Sequence, residues 1–561
     1  MQRNLNHILT LVFGFIWIFI IFIDYWYYHP GYGLSITYFQ YVDTTLILLL
    51  LGGSIYWGIS RENNIRALQY FQNGLGVFLL FLLICGVVLW THFSKVSSRS
   101  LEFLAGLGYL GKVAWLMGGT YLVFTVCYVL GDMFLEKIFT VQFNKRERIL
   151  IKIALGITLI SFLLMLLGFF SLLSLPVIGI LFLIILGLGW KSGLFFLKTT
   201  LINPIPIGKH LKWWGFGSFF LILLFISFNT LTNVRPVPFG FDALSVYLNL
   251  PNLIAFNKGL VEGYSPYYWS LFVSIGNILF DQIEMVIALS VSGGILSLFV
   301  VYEISKKWLD SNYALIVTLM LCATPLINYQ SFRDIKTDLG LMFILLILVL
   351  VLIKWLSMED EKSFLPVPEY VEKNKMKGKA KKINRKKSLK SKERPQKVIP
   401  VEKNEGVLGK YLSQSTQLII ILGILSGMSL GIKLTGLIAI LGVLSVFSYM
   451  KGGTAGFLAN FFLTFFIVLI AGLDTSLRPY HFGADYLKWI SLVLGLLALA
   501  VIAYKSIEKF KSLVKIGIIY ISFLTLLYIP WPLKNYQETQ ALSFKTITEG
   551  KVIGVPSKVK K

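Results

Sequence analysis

The chain has 561 residues, of which 56% are hydrophobic and 14% are charged, and its mean hydropathy is +0.74. Soluble proteins carry about a quarter charged residues, so this composition excludes a soluble enzyme and predicts a polytopic membrane protein. The net charge of +24 is concentrated between Lys373 and Lys397, where thirteen of 25 residues are Lys or Arg. We interpret this segment as a cytoplasmic linker held at anionic membrane lipid, with docking of RNA or protein as the alternative. It has no alternating aromatic residues to stack bases, so we expect no nucleic-acid partner.

Apolar runs long enough to cross a bilayer recur along the chain. We predict fifteen spans, at 8–24, 43–59, 73–91, 113–131, 150–170, 175–190, 214–231, 283–303, 312–328, 338–356, 413–431, 434–450, 456–473, 487–504 and 513–530. The first is expected to be a retained signal anchor, because no small-residue cleavage site follows it. Cys85, Cys127 and Cys322 lie in apolar runs and are expected to be packing residues.

The positions of the basic loops predict the topology. If residue 1 is cytoplasmic, every strongly basic connection falls on the cytoplasmic side. These connections are 61–66, 143–148, 191–212, 305–308, 357–410, Lys451 and 505–511. The segment 265–280 is apolar but short and aromatic, and counting it as a span would invert all later loops. We therefore predict that it lies at the outer interface or re-enters it.

This topology divides the chain into five parts and places five connections on the outer face. The parts are an N-terminal six-span bundle (1–212), a module with external loops (213–356), a basic disordered cytoplasmic loop (357–410), the remaining spans of the module (411–535) and an external tail (536–561). The outer connections are 232–282, 329–337, 431–434, 474–486 and the residues from 531. Asp242 lies in the first, among Phe239, Phe241 and Leu244. A carboxylate in such surroundings either caps a turn or has a chemical task, because its desolvation is costly.

Four segments in these connections carry a family resemblance. "GFDALSVYLNLPNLIAFNKGLVEGYSPYYWSLFVSIGNILF" resembles the first external loop of integral-membrane glycosyltransferases with the GT-C fold. The group in question contains bacterial dolichyl-phosphate-mannose–protein mannosyltransferases and aminoarabinose transferases. "KTDLGLMF", "GIKLTG" and "IPWPLKNYQET" are similar to later motifs of that family and contribute Asp338, Lys433 and Lys534. The resemblance covers 213–540, and Val246 and Tyr247 stand where the family often has Tyr-His.

The resemblance implies a GT-C-like bundle with interfacial helices in its first external loop. It also implies a donor sugar on a polyprenyl phosphate, and an acceptor hydroxyl on a protein, lipid or glycan. Asp242 is the expected general base of an inverting transfer. The leaving phosphate needs cations, and the candidates are Arg333, Lys336, Lys433, Arg478 and Lys534. Expected contacts to acceptor or sugar are Tyr247, Tyr267 and Tyr268.

Two aspartates and one loop have alternative interpretations. Asp334 and Asp338 either orient Arg333 or Lys336, or join Asp242 in holding Mg²⁺ or Mn²⁺; we prefer orientation and expect no other cofactor. The loop "NKGLVEGYSP" is either a lid or a surface turn.

Two other functions compete with sugar transfer. A flippase or transporter of lipid-linked sugars would place ionisable residues inside its spans, whereas the predicted spans are nearly free of charge. A ligase or polymerase of surface polysaccharide would share the lipid-linked donor. For each function we expect a bacterial or archaeal cell membrane, and for sugar transfer an extracytoplasmic active site.

Overall fold

A computed structural model describes most of the chain. The described residues are 12, 13, 16, 50, 52, 53, 73–96, 101–202, 211–234, 243–324, 327, 335–359, 411–470 and 485–540. Within these ranges every regular element is a helix and no β-strand forms. Outside them lie most of the predicted spans 8–24 and 43–59, nearly all of the basic loop 357–410 and the tail beyond residue 540.

The helices are numbered in chain order. They are α1 (Gly74–Val96), α2 (Leu101–Ile138), α3 (Lys145–Phe169), α4 (Leu175–Leu188), α5 (Trp190–Leu197), α6 (Trp213–Asn233), α7 (Asn249–Asn257), α8 (Tyr268–Val273), α9 (Ile275–Phe280), α10 (Ile283–Ser305), α11 (Ser311–Ala323), α12 (Thr337–Glu359), α13 (Gln414–Ile432), α14 (Leu437–Ile470), α15 (Asp485–Lys505), α16 (Ile507–Tyr528) and α17 (Pro530–Thr539).

Nine of the described helices are long and apolar enough to cross a membrane, which makes the chain a multi-pass membrane protein. They are α2, α3, α6, α10, α12, α13, α14, α15 and α16. Helices α4 and α5 form a further apolar pair that is bent by 83°. Shorter apolar stretches are Gly74–Leu89 within α1 and helix α11. The total of fifteen spans stays a prediction.

Helix α14 is a hairpin of two helical arms rather than one rod. Gly453 has φ 61° and ψ −148°, which interrupts the helix and favours glycine. Asn460 Nδ2 donates to Ser445 Oγ at 2.9 Å, whereas a continuous helix would separate residues fifteen apart by about 22 Å. The chain therefore reverses at Gly453. Its two arms correspond to the separately predicted spans 434–450 and 456–473.

Ion pairs and hydrogen bonds bring the basic connections together at one end of the bundle. Lys307 Nζ lies 2.5 Å from Glu147 Oε1, and Lys451 pairs with Glu359. Other pairs at this end are Arg146 with Glu303, Thr140 with Gln417, and Trp355 with Ser415. We call it the basic end. These contacts join four of the seven predicted basic connections, namely 143–148, 305–308, the start of 357–410 and Lys451. The grouping of all seven and their cytoplasmic side stay a prediction from charge.

The opposite end, which we call the loop end, contains residues 243–282, the start of α12, the end of α13, and α17. Helices α8 and α9 are too short to span a bilayer. All side chains of Tyr268–Val273 are buried by protein. The segment is thus packed within the protein, which agrees better with the re-entrant alternative, while its position relative to the membrane stays a prediction.

One continuous apolar core crosses the division predicted at residue 212. It includes residues from α1 to α17. Polar contacts also join the two predicted parts: Lys112 Nζ lies 2.5 Å from Glu284 Oε1, and Trp115 Nε1 donates to Gln282 Oε1 at 3.1 Å. The N-terminal helices therefore support the loop end directly.

Candidate functional site

An ion pair between two of the motif segments lies at the loop end. Asp338 is in the first turn of α12, where the helix dipole favours a carboxylate. Lys433 follows the last residue of α13, and its Nζ lies 2.8 Å from Asp338 Oδ1. The side chains remain 38% (Lys433) and 46% (Asp338) exposed. Such an exposed pair contributes little stability, so both groups remain accessible to a ligand.

Gly431 brings the other two motif segments to the same place. It lies two residues before Lys433, and a Cβ there would overlap the ring of Tyr268 and stand 3.0 Å from Trp531 Nε1. The rings of Tyr268 and Trp531 meet edge to face, 4.9 Å apart. Tyr268 also donates its hydroxyl to Leu527 O at 2.6 Å. Segments far apart in sequence therefore pack together beside the Asp338–Lys433 pair. We call the packed rings of Tyr268 and Trp531 the aromatic wall.

Lys534 holds the loop before α8 against α17. Its side chain is 3% exposed, its Nζ donates to Tyr264 O at 2.8 Å, and it pairs with Glu538. Burial lowers the pKa of Lys534, while the Glu538 carboxylate acts in the opposite direction. Glu538 Oε2 in turn accepts from Gly263 N at 3.2 Å. The ammonium of Lys534 is thus engaged within the protein, and its phosphate-binding role stays a prediction that would require exchange of Glu538 for phosphate.

The three tyrosines predicted to contact substrate differ in exposure. Tyr267 and Tyr268 are buried, and burial raises the pKa of both phenols. Tyr267 OH accepts from Val261 N at 2.9 Å, so both hydroxyls have backbone partners. Tyr247 is half-buried in the π-helical turn Ala243–Leu248. The packing of Tyr267 and Tyr268 disfavours direct sugar contact, whereas Tyr247 is better placed for it.

Lys336 stands at the same edge of the bundle, two residues before Asp338. Its backbone is fixed to α10, because Ser290 Oγ donates to Lys336 O at 3.0 Å. Its half-buried side chain forms no ion pair with a carboxylate of the described ranges. Of the three candidate cations in the described part of the chain, Lys336 is therefore the most available for an anionic ligand.

Four predicted site residues lie outside the described ranges: Asp242, Arg333, Asp334 and Arg478. Among the described residues no group of three His, Cys, Asp or Glu side chains could hold a metal. The metal alternative stays untested, since it depends on Asp242 and Asp334. The partner observed for Asp338 is Lys433, which fits an orienting role, although through a different cation from the two predicted.

A glycine pattern in the sequence could have predicted the close packing behind the aromatic wall. Glycines recur every four residues at 423, 427 and 431 in α13, and small residues at this spacing allow helices to approach closely. A Cβ at Gly423 would stand 2.7 Å from Tyr520 O, and one at Gly427 2.6 Å from Leu524 O. This stripe packs α13 on α16, which positions α17 and Trp531.

No protein-family model, no curated protein and no solved structure matches this chain.

Proposed function

We propose that the chain is a membrane glycosyltransferase that moves a sugar from a polyprenyl-phosphate donor to an acceptor hydroxyl on the extracytoplasmic side. The observation that carries the proposal is the convergence of the motif segments at the loop end. Asp338 contacts Lys433, and Gly431 packs against both Tyr268 and Trp531. Convergence of segments more than 250 residues apart is what a composite active site requires.

In the proposed mechanism, the Asp242 carboxylate takes the proton of the acceptor hydroxyl. The acceptor oxygen attacks the anomeric carbon while the bond from that carbon to the phosphate oxygen breaks. Its electron pair stays on the phosphate, and the anomeric centre inverts. Lys433 and Lys336 supply positive charge where the leaving phosphate develops its negative charge.

The surroundings of Lys433 suit this role. Asp338 fixes the direction of its ammonium at 2.8 Å, and the extended Lys433 backbone (φ −160°, ψ 142°) directly follows the glycine-packed end of α13. A cation whose direction is set by a neighbouring carboxylate needs less reorganisation when charge develops on the leaving group.

Transport of a lipid-linked sugar is the second candidate, favoured by one observation. Lys152 and Asp132 form an ion pair inside the long apolar helices α3 and α2, contrary to our expectation of nearly charge-free spans. Transporter sites tend to lie near the membrane midplane, however, whereas this pair lies close to the helix ends at the basic end. A polysaccharide ligase or polymerase differs from the main proposal only in its acceptor.

A reconstituted transfer assay tests the proposal. The purified full chain in liposomes is given radiolabelled sugars on a short polyprenyl phosphate, with peptide, lipid and oligosaccharide acceptors. Asp242→Asn should lower the transfer rate by roughly 10²–10⁴-fold, the typical contribution of a general base.

Asp281→Asn is the matched control, because Asp281 is an exposed acid of the same external region. Its φ of 50° is tolerated by asparagine, and full activity is expected. Full transfer activity in Asp242→Asn would refute the general-base assignment. Sugar-lipid translocation that depends on the chain but not on Asp242, without transfer, would support the transporter instead.

A further inference from the structure

A second polar cluster lies at the basic end, on the opposite side of the bundle from the proposed site. The last turns of α2, the first turns of α3 and the first turn of α5 surround a cavity of about 510 Å³. Ligand sites of small molecules occupy roughly 300–1,000 Å³. Helices α2 and α3 cross closely here, since a Cβ at Gly131 or Gly156 would overlap the backbone of the facing helix. We call this space the Lys152 cavity.

The inner wall of the Lys152 cavity is a buried ion-pair network. The side chain of Lys152 is 7% exposed, and its Nζ contacts Asp132 and lies 2.7 Å from Glu136 Oε1. Ser192 Oγ donates to Asp132, and the ring of Tyr128 lies 5.5 Å from Lys152 Nζ. Buried charges need such partners because their desolvation is costly. The network therefore forms a polar wall of the cavity between otherwise apolar helices.

The mouth of the cavity has an excess of positive charge. Arg148 pairs with Glu136, and Arg148 Nε is buried without a hydrogen-bond partner in the described part of the chain. Lys145 and Lys191 are exposed and form no ion pair with any described carboxylate. Four cations and two carboxylates line the cavity, which leaves a net charge of +2. An anion is the ligand that this excess favours.

Beside the mouth is an exposed apolar surface. Helix α5 leaves the direction of α4 by 83°, and its Trp190, Leu194 and Phe195 are each at least half exposed. Lys145 Nζ lies 5.8 Å from the centroid of the Phe195 ring. Apolar side chains next to Lys are typical of helices at a membrane surface.

We propose that the Lys152 cavity binds the phosphate headgroup of an anionic phospholipid. The phosphate oxygens would accept hydrogen bonds from Lys145 and Lys191 beside the guanidinium of Arg148, while the acyl chains lie along the exposed side of α5. Phosphates form strong charge-assisted hydrogen bonds with Lys and Arg, and basic pockets between membrane helices bind anionic headgroups. This site is independent of the glycosyltransferase proposal, because it lies at the other end of the bundle and uses none of its residues.

Lipid binding by the purified full chain in neutral detergent tests this inference. The probe is a fluorescent short-chain phosphatidylglycerol, followed by anisotropy. Lys145→Gln/Lys191→Gln should weaken binding roughly 30-fold, because each lysine near a headgroup contributes about 1 kcal/mol. The matched control is Lys137→Gln/Lys198→Gln, which removes the same charge from exposed lysines of α2 and the turn after α5 that do not line the cavity. It should bind within about threefold of the unaltered chain.

Equal losses in the two double variants would overturn the site, since bulk charge would then explain binding. Unchanged affinity in Lys145→Gln/Lys191→Gln would also overturn it. Unlabelled phosphatidylglycerol should displace the probe, and neither phosphatidylcholine nor millimolar inorganic phosphate should do so. Displacement by inorganic phosphate alone would assign the cavity to a soluble phosphate and refute the lipid.

Discussion

Lys534→Met is expected to destabilise the loop end strongly. The substitution would leave the Glu538 carboxylate buried at 12% exposure without its cation, and it would remove the donor of Tyr264 O. Breaking a buried ion pair by removing one partner costs about 3–5 kcal/mol. Solvent hardly screens this ion pair, because the Lys534 side chain is 3% exposed, so the cost needs no large reduction for screening. We therefore expect the free energy of unfolding to fall by about 3–5 kcal/mol.

The measurement is reversible unfolding by dodecyl sulfate in mixed micelles, followed by helical circular dichroism. The control is Lys511→Met, whose partner Glu508 is 81% exposed and whose own side chain is 66% exposed. An exposed pair of this kind is worth roughly 0.5 kcal/mol. If Lys534→Met lost no more stability than the control Lys511→Met, Lys534 would not hold the loop against α17. If stability were unchanged while sugar transfer fell, Lys534 would instead be a phosphate ligand.

Three further predictions concern the geometry of the loop end and of α14. Gly431→Ala should lower stability by about 1–3 kcal/mol, because its Cβ would overpack against Tyr268 and Trp531. The control Gly442→Ala has open space at its Cβ and should be neutral or gain up to about 1 kcal/mol. Thermal unfolding in detergent compares the two variants. Gly453→Ala should cost about 1–2 kcal/mol in the same assay, because its positive φ disfavours a side chain; stability equal to that of Gly442→Ala would contradict the hairpin geometry. Asp338→Asn should lower the transfer rate, because it removes the ion pair that orients Lys433, and it should cost little stability because the pair is exposed. EDTA should leave the unaltered chain active, and inactivation by EDTA would favour the metal alternative.

Hydropathy and charge predicted much of the fold. The spans at 150–170, 283–303, 338–356 and 413–431 agree with α3, α10, α12 and α13 within a few residues. The reversal between 450 and 456 was visible because the polar "KGGTAG" separates two apolar runs. These features depend on local composition, which a sequence shows directly.

Long-range packing was not predictable in the same way. The aromatic residues of 265–280 suit both a membrane interface and a protein core, and only the glycines of facing helices decide for the core. Lys534 and Glu538 are visibly spaced for a helical pair, but their burial depends on a loop about 270 residues earlier. The network around Lys152 was missed for a similar reason. Its acids at 132 and 136 lie four residues apart on α2, and its bases at 148 and 152 lie four residues apart on α3. They face each other only because α2 and α3 cross closely at Gly131.

The central claim is that the motif segments lie together outside the cytoplasm. Single cysteines at Asn257, exposed at the loop end, and Tyr411, exposed at the basic end, test it with a membrane-impermeant maleimide on intact cells. The native cysteines are buried and provide a low background. We expect labelling of Asn257→Cys on intact cells and of Tyr411→Cys only after permeabilisation. Labelling of both from one side, or of Tyr411→Cys alone from outside, would contradict the proposed glycosyltransferase.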